Sequence, residues 1–135
     1  MRRRILIVDD EQEIRQFLDI VLREKGFDVL TAGGGAEALG LARSALPDLV
    51  LLDIMMPEMD GWTVLERLKA EEPTARVPVA MLSARAETAD RLRAVRVGAA
   101  DYITKPFSLR DLLARIQALL ERAEAGRGAL ARGPA

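Results

Sequence analysis

The chain has 135 residues, half of them hydrophobic and 30% charged, which is enough to bury one core and too apolar for a disordered chain. Lys and Arg number 20 against 21 Asp and Glu, so the net charge of -1 gives no general attraction to nucleic acid or an anionic membrane. Cysteine and histidine are both absent, which excludes disulfides, thiolate or imidazole metal sites, and any phosphohistidine formed on this chain.

The chain starts basic, Arg2 to Arg4, and then apolar. A signal peptide starts the same way, but it needs an apolar core of about 7–15 residues, and here two acids follow after residues 5–8. No segment has the length of a transmembrane helix, and a cytoplasmic location is expected. The apolar run at residues 5–8 reads as a buried strand, and it ends in Asp9-Asp10-Glu11. Ile14, Phe17, Leu18, Val21 and Leu22 then follow helical spacing as one apolar face, with Gly26 as a stop. A second, short strand at Val29-Leu30 runs into Thr31-Ala32 and three glycines, 33–35, with nothing ionisable. Those glycines lack a following Lys-Ser/Thr, so they read as a flexible turn and not a phosphate loop.

Leu39, Ala42 and Leu46 predict a second helix, ended by Pro47. The apolar residues 49–52 form a third strand that ends in Asp53. Pro57 and Asp60-Gly61 are turn signals, and Val64, Leu65 and Leu68 predict a third helix. Strand four covers residues 79–82 and ends in Ser83. Leu92 and Val95 predict a helix that stops near Gly98. Tyr102-Ile103 is the fifth strand, and it runs into Lys105-Pro106. Leu109, Leu112, Leu113, Ile116, Leu119 and Leu120 mark the clearest helix, with Ser108 and Asp111 as its N-cap pair. Residues 124–135, rich in Gly, Ala and Arg and without periodicity, read as a flexible tail or the start of a linker. Residues 1–123 remain as the folded domain.

Five strand-then-helix alternations predict an α/β fold, a parallel sheet covered by helices on both faces. Right-handed crossovers leave few sheet orders, and 2-1-3-4-5 is a common one. In such sheets sites form at the carboxyl ends of strands. The glycine-ended second strand is then the edge, and the four contiguous strands carry Asp9 and Asp10, Asp53, Ser83 and Lys105 into one crevice. Three carboxylates there repel one another unless a cation is present. With oxygen ligands only, the fitting cation is hard, Mg²⁺ or alternatively Mn²⁺, before Zn²⁺. A carboxylate beside such an ion and a lysine can serve as nucleophile and form an aspartyl phosphate. Taken singly, each residue has a plainer reading: Asp10 with Glu13 as a helix cap, Asp9 as a solvated strand end, Asp53 as a turn acid, Ser83 as a loop residue and Lys105 as a surface lysine. Their coincidence at four strand ends favours the site.

The acid pair Asp9-Asp10, the run Leu51 to Pro57 with Asp60-Gly61, Leu82-Ser83-Ala84, and Gly98 to Phe107 together resemble the two-component response-regulator receiver domains (CheY-like), over residues 4–122. That resemblance implies a flavodoxin-like (βα)5 fold in which Asp53 is the phosphoacceptor. It implies that Asp10, Asp53 and the backbone carbonyl of Met55 bind Mg²⁺, with Asp9 helping mainly through water. Ser83, in a place taken by Ser or Thr, and Lys105 would contact phosphoryl oxygens, and Tyr102 would turn inward as Ser83 moves. The Lys105-Pro106 bond is expected to be cis, and Met55 and Arg85 stand at places that tune the dephosphorylation rate in the family.

The partners implied are a histidine kinase or histidine phosphotransfer protein and a downstream effector or output domain. Receivers similar to the OmpR/PhoB-like, winged-helix branch form homodimers through helix 4, strand 5 and helix 5. Here Arg91 with Asp111, and Asp101 with Arg115, would supply two charge pairs, while Ala100 and Gln117 stand where a third would need charges. The resemblance implies a switch that is modified on itself, with no turnover activity.

Three rivals fit less well. An aspartate-nucleophile phosphatase wants a second acid two residues after the nucleophile, where this chain has Met55. A flavin-binding module wants a hydroxyl- and glycine-rich loop after strand one, where this chain has acids. A pseudo-receiver that only binds partners has no need of all five polar groups.

Overall fold

The computed structural model describes residues 2–85 and 87–131, with side chains through residue 126. Five parallel strands, β1 (Arg4–Val8), β2 (Asp28–Ala32), β3 (Leu49–Asp53), β4 (Val79–Ser83) and β5 (Asp101–Thr104), form one sheet in the order β2-β1-β3-β4-β5. Between and after them run α1 (Gln12–Glu24), α2 (Gly35–Ala45), α3 (Gly61–Ala70), α4 (Thr88–Val97) and α5 (Leu109–Ala131). The expected fold class and sheet order are both observed.

Alternation along the strands sends successive side chains to opposite faces of the sheet. Ile5, Ile7, Leu49, Leu51, Ala80, Leu82 and Ile103 pack with α1 and α5 through Leu18, Leu22, Leu112 and Ile116. Leu6, Val8, Val50, Leu52, Val79 and Met81 pack with α2, α3 and α4 through Leu39, Leu65, Leu68 and Ala94. Both faces are covered, which explains why the central strands β3 and β4 are buried along their whole length.

Several local expectations change. Leu46 is not on the buried face of α2. It sits past the helix end in a left-handed conformation (φ 46°) and is half exposed, because Pro47 disfavours helical geometry at the residue before it. In α4 the predicted apolar pair faces outward: Leu92 and Val95 are 51% and 74% exposed, and Ala94 and Asp90 are the buried residues. Phe17 on α1 is likewise half exposed, and only Leu18 and Leu22 of that helix are fully buried.

Asp60, read only as a turn residue, caps α3 by accepting from the Thr63 N–H at 3.0 Å. The Ser108 hydroxyl accepts from the Asp111 N–H at 3.0 Å, as the sequence predicts for α5. That helix runs on to Ala131, through residues that composition left as a tail. Ala, Glu, Arg and Leu there are good helix formers, and an ion pair from Arg3 to Glu124 ties its flank to the start of β1. Residues 132–135 lie outside the described residues. A short 3-10 turn at Thr74–Arg76, not foreseen, precedes β4.

Candidate functional site

Sheet register alone brings the polar residues together. Val8 pairs with Leu52, so Asp9 is level with Asp53; Asp53 pairs with Leu82, so Ser83 is one step further; Ser83 pairs with Thr104, so Lys105 is one step beyond that. The predicted groups thus stand as a staircase across the carboxyl edge of β1, β3, β4 and β5. The crossover between β2 and β3 leaves the glycine-ended strand outside it.

Asp9 and Asp53 are buried and Asp10 is exposed. One carboxylate oxygen from each lies within 4.8 Å of the others. Both oxygens of Asp9 are engaged: Oδ1 accepts from the Glu11 N–H at 2.9 Å, and Oδ2 accepts from Lys105 Nζ at 2.9 Å. The Arg15 guanidinium adds a bond to the Asp9 carbonyl at 2.6 Å. Asp10 is not the cap of α1; Glu11 occupies that position and makes no side-chain cap bond. That leaves Asp10 free to face a ligand.

Asp53 Oδ1 accepts from the Met55 N–H at 3.3 Å and lies 3.6 Å from Lys105 Nζ. Burial pushes the Asp53 carboxyl up, the charge of Asp9 pushes it further, and Lys105 and the Met55 N–H pull it partly back, leaving it at about 6. Burial by itself would lower Lys105, but its bond to Asp9 and the charges of Asp9 and Asp53 outweigh that, so the ammonium is held above its usual range.

Ser83 is fully buried, and its Oγ accepts from the Arg85 N–H at 3.0 Å. Tyr102 is buried against the α2–α4 layer, and its hydroxyl donates to the Arg85 carbonyl at 2.6 Å. Lys105 is further fixed by its N–H, which donates to the Ser83 carbonyl at 2.7 Å, and the Lys105-Pro106 bond is cis as expected. All the sequence-predicted polar groups meet at this edge.

Two contributors escaped sequence reasoning: the packing role of Gly61, and Arg93. A Cβ at Gly61 would run into the Asp53 carbonyl and come within 2.7 Å of Ile54 Cα, so only glycine lets α3 begin against the back of Asp53. The signal was the Asp60-Gly61 pair itself, read for its turn propensity alone. Arg85 and Arg93 wall a cavity of ≈ 560 Å³ together with Asp10, Met55 and Trp62; Arg85 stands at a place that the family resemblance already singles out, whereas Arg93 lies inside α4, where no pattern pointed to it.

An ion held here would have oxygen donors only, from Asp10, Asp53 and Asp9, each oxygen of Asp9 already accepting one hydrogen bond. That donor set fits a hard divalent cation that keeps waters. The arrangement sets a buried carboxylate, an ammonium and a hydroxyl at one edge, beside carboxylates that could hold a cation.

Comparison with known proteins agrees with this geometry. The sequence profile of the response regulator receiver domain matches residues 5–117. The chain is 44% identical over 121 residues to the DNA-binding dual master transcriptional regulator RpaA of Synechocystis, covering 90% of this chain and 50% of that protein. It is 45% identical over 124 residues to the DNA-binding response regulator MtrA of Mycolicibacterium smegmatis, covering 92% and 53%. The chain spans about half the length of these curated relatives. Among solved structures, a CheY-like response regulator receiver domain protein from Methanospirillum hungatei superposes with a TM-score of 0.87 at 31% identity, covering 93% of this chain and 99% of that one. The chain belongs to the response regulator receiver domain family.

Proposed function

We propose that Asp53 accepts a phosphoryl group from a phosphohistidine on a partner kinase or phosphotransfer protein, in a reaction that depends on Mg²⁺, with Mn²⁺ able to replace it. The observation that carries this reading is the juxtaposition of Asp53 with Lys105, 3.6 Å away, and with the exposed carboxylate of Asp10. An Asp53 oxygen attacks phosphorus; the new O–P bond forms as the donor's P–N bond breaks, and the imidazole leaves with the electron pair. Lys105 and Ser83 would take up phosphoryl oxygens as charge develops on them. Asp10, Asp53 and the carbonyl of Met55 would hold the cation, with Asp9 acting through water. The cation would supply charge neutralisation to the same oxygens. Catalysis is confined to this chain's own modification, so the protein is a switch and not a turnover enzyme.

A protein donor would rest beside Lys105. An apolar recess of ≈ 510 Å³ beside Lys105 is lined by Ile14, Phe17, Ala84, Pro106 and Phe107. The output face we propose is α4, β5 and α5, where Leu92 and Val95 are exposed and Arg91 lies over the Tyr102 ring at 5.2 Å. Arg115 binds Asp101 and Asp111 within one chain, at 2.9 and 3.0 Å, so the charges expected for a dimer are present but already partnered. The folded receiver unit we propose ends near residue 123, since Leu120 is the last buried side chain described. By likeness to RpaA and MtrA, the output would be control of transcription through an effector, from a cytoplasmic location.

The test is intact mass after incubation with Mg²⁺ and acetyl phosphate, in which the P–O bond breaks instead. One added phosphoryl group is expected, lost in Asp53→Ala and on omitting the metal. No gain, or a gain that survives Asp53→Ala, overturns the reading.

A further inference from the structure

Three contacts converge on Arg85. Its N–H donates to Ser83 Oγ at 3.0 Å, its carbonyl accepts from the Tyr102 hydroxyl at 2.6 Å, and its guanidinium Nε lies 3.4 Å from Asp90 Oδ2. Asp90 is in the first turn of α4 and is only 8% exposed, and its Oδ2 has no hydrogen-bond partner. A buried carboxylate oxygen without a hydrogen bond is costly and needs a counter-charge nearby. Among the described residues, Arg85 is the cation that lies within 4.0 Å of it.

The Arg85 side chain is itself half exposed, and it lines the cavity that contains Asp10 and Met55. A guanidinium can fork equally well onto a carboxylate or a phosphoryl group. A phosphoryl group offers three strong acceptor oxygens and more negative charge than a carboxylate.

We propose that Asp90 is an internal rival of the phosphoryl group for Arg85. In the unmodified chain the guanidinium stays with Asp90 and ties down the first turn of α4. A phosphoryl group on Asp53 draws it into the cavity, and Asp90 loses its counter-charge, which loosens that end of the helix. The carbonyl of the same residue holds Tyr102, so the exchange is felt on the β5 side as well. This deepens the reading of Asp53 as phosphoacceptor and rests on it. Asp90 is a positioning residue in this scheme, acting only through Arg85.

Trp62 provides a second readout. It is the single tryptophan of the chain, it is buried, and Arg93 lies over its ring at 4.4 Å. Asp90 and Arg93 are three residues apart on α4 and so lie on one face.

The experiment compares Asp90→Asn with the parent at fixed Mg²⁺ and sub-saturating acetyl phosphate, following intact mass and Trp62 emission. It repeats the comparison in Arg85→Ala and, keeping more of the side chain, in Arg85→Gln. Asp90→Asn should raise the ratio of phosphorylated to unphosphorylated chain about two- to fivefold, the range open to a half-exposed ion pair. It should also move the emission of the unphosphorylated chain toward that of the phosphorylated parent. In both Arg85 backgrounds the same substitution should change neither quantity, while Arg85→Lys should keep part of the effect. An equal effect with and without Arg85 makes Asp90 a merely structural residue and overturns the proposal, as does no effect in the parent background. A parent that takes up no phosphoryl group overturns the phosphoacceptor reading and this one together; a parent that is modified yet indifferent to Asp90 overturns only this one.

Discussion

Lys105 Nζ lies 2.9 Å from Asp9 Oδ2 and 3.6 Å from Asp53 Oδ1, nearer to Asp9 than to the proposed acceptor. Asp9 is fully buried, so this ammonium is the main compensation for its charge. Lys105→Met should therefore cost stability as well as phosphorylation. Breaking a fully buried pair costs about 3–5 kcal/mol; partial exposure of Lys105 reduces the expectation to about 1–3 kcal/mol. Urea unfolding measures it, and adding Asp9→Asn to the same chain should return most of the loss. A double variant no more stable than Lys105→Met alone would show that the lysine contributes packing and not charge.

Asp53 carries a pH signature. Its folded-state pKa of about 6 lies above the ordinary aspartate value, so the folded chain binds the proton more tightly than the unfolded chain. In the metal-free protein its contribution is therefore most favourable below about pH 4 and is lost as pH rises through 6. Asp53→Asn removes that penalty and should stabilise the metal-free chain at pH 7 by about 1–3 kcal/mol, with no gain near pH 4. Thermal unfolding at the two pH values, in a chelating buffer, reads the difference. Equal effects at both would mean that the carboxyl ionises without strain.

Gly61 should tolerate no side chain. Gly61→Ala needs α3 or the end of β3 to shift, because the added methyl meets backbone, which cannot rotate away. Overpacking of this kind costs about 1–3 kcal/mol. The displaced backbone is that of the proposed acceptor, so the rate of phosphorylation by acetyl phosphate should fall along with the midpoint of unfolding. Gly34→Ala is the control: a Cβ there meets nothing within 4 Å, and little change is expected in either measurement.

Much of the fold could be read from the sequence because the buried central strands are short and uninterrupted by polar residues, and four of the five strands run into a functional group. Asp9, Asp53, Ser83 and Lys105 were found through that punctuation. Which way a helix turns its apolar residues was harder to read. Leu92 and Val95 have core-like spacing, but α4 touches the sheet through the small Ala94, and a spacing rule weights large residues over small ones. The Asp90–Arg85 pair had no sequence signal, since a pair joining a loop to a helix follows neither period. Gly61 was visible as a turn residue, but the close approach of α3 to Asp53 is a property of packing and not of the turn.

The staircase of polar groups has a mechanical consequence. The strand ends that carry them are spaced as hydrogen-bonded strands are, about 4.8 Å per step, and no rotamer change can alter that backbone spacing. The sheet is therefore the stiff part of the device. What remains soft is one hydroxyl torsion at Ser83, one long side chain at Arg85 and one aromatic ring at Tyr102. On the proposed reading, a signal from Asp53 would travel through those few torsions, and the frame that holds its carboxylate would have no need to move.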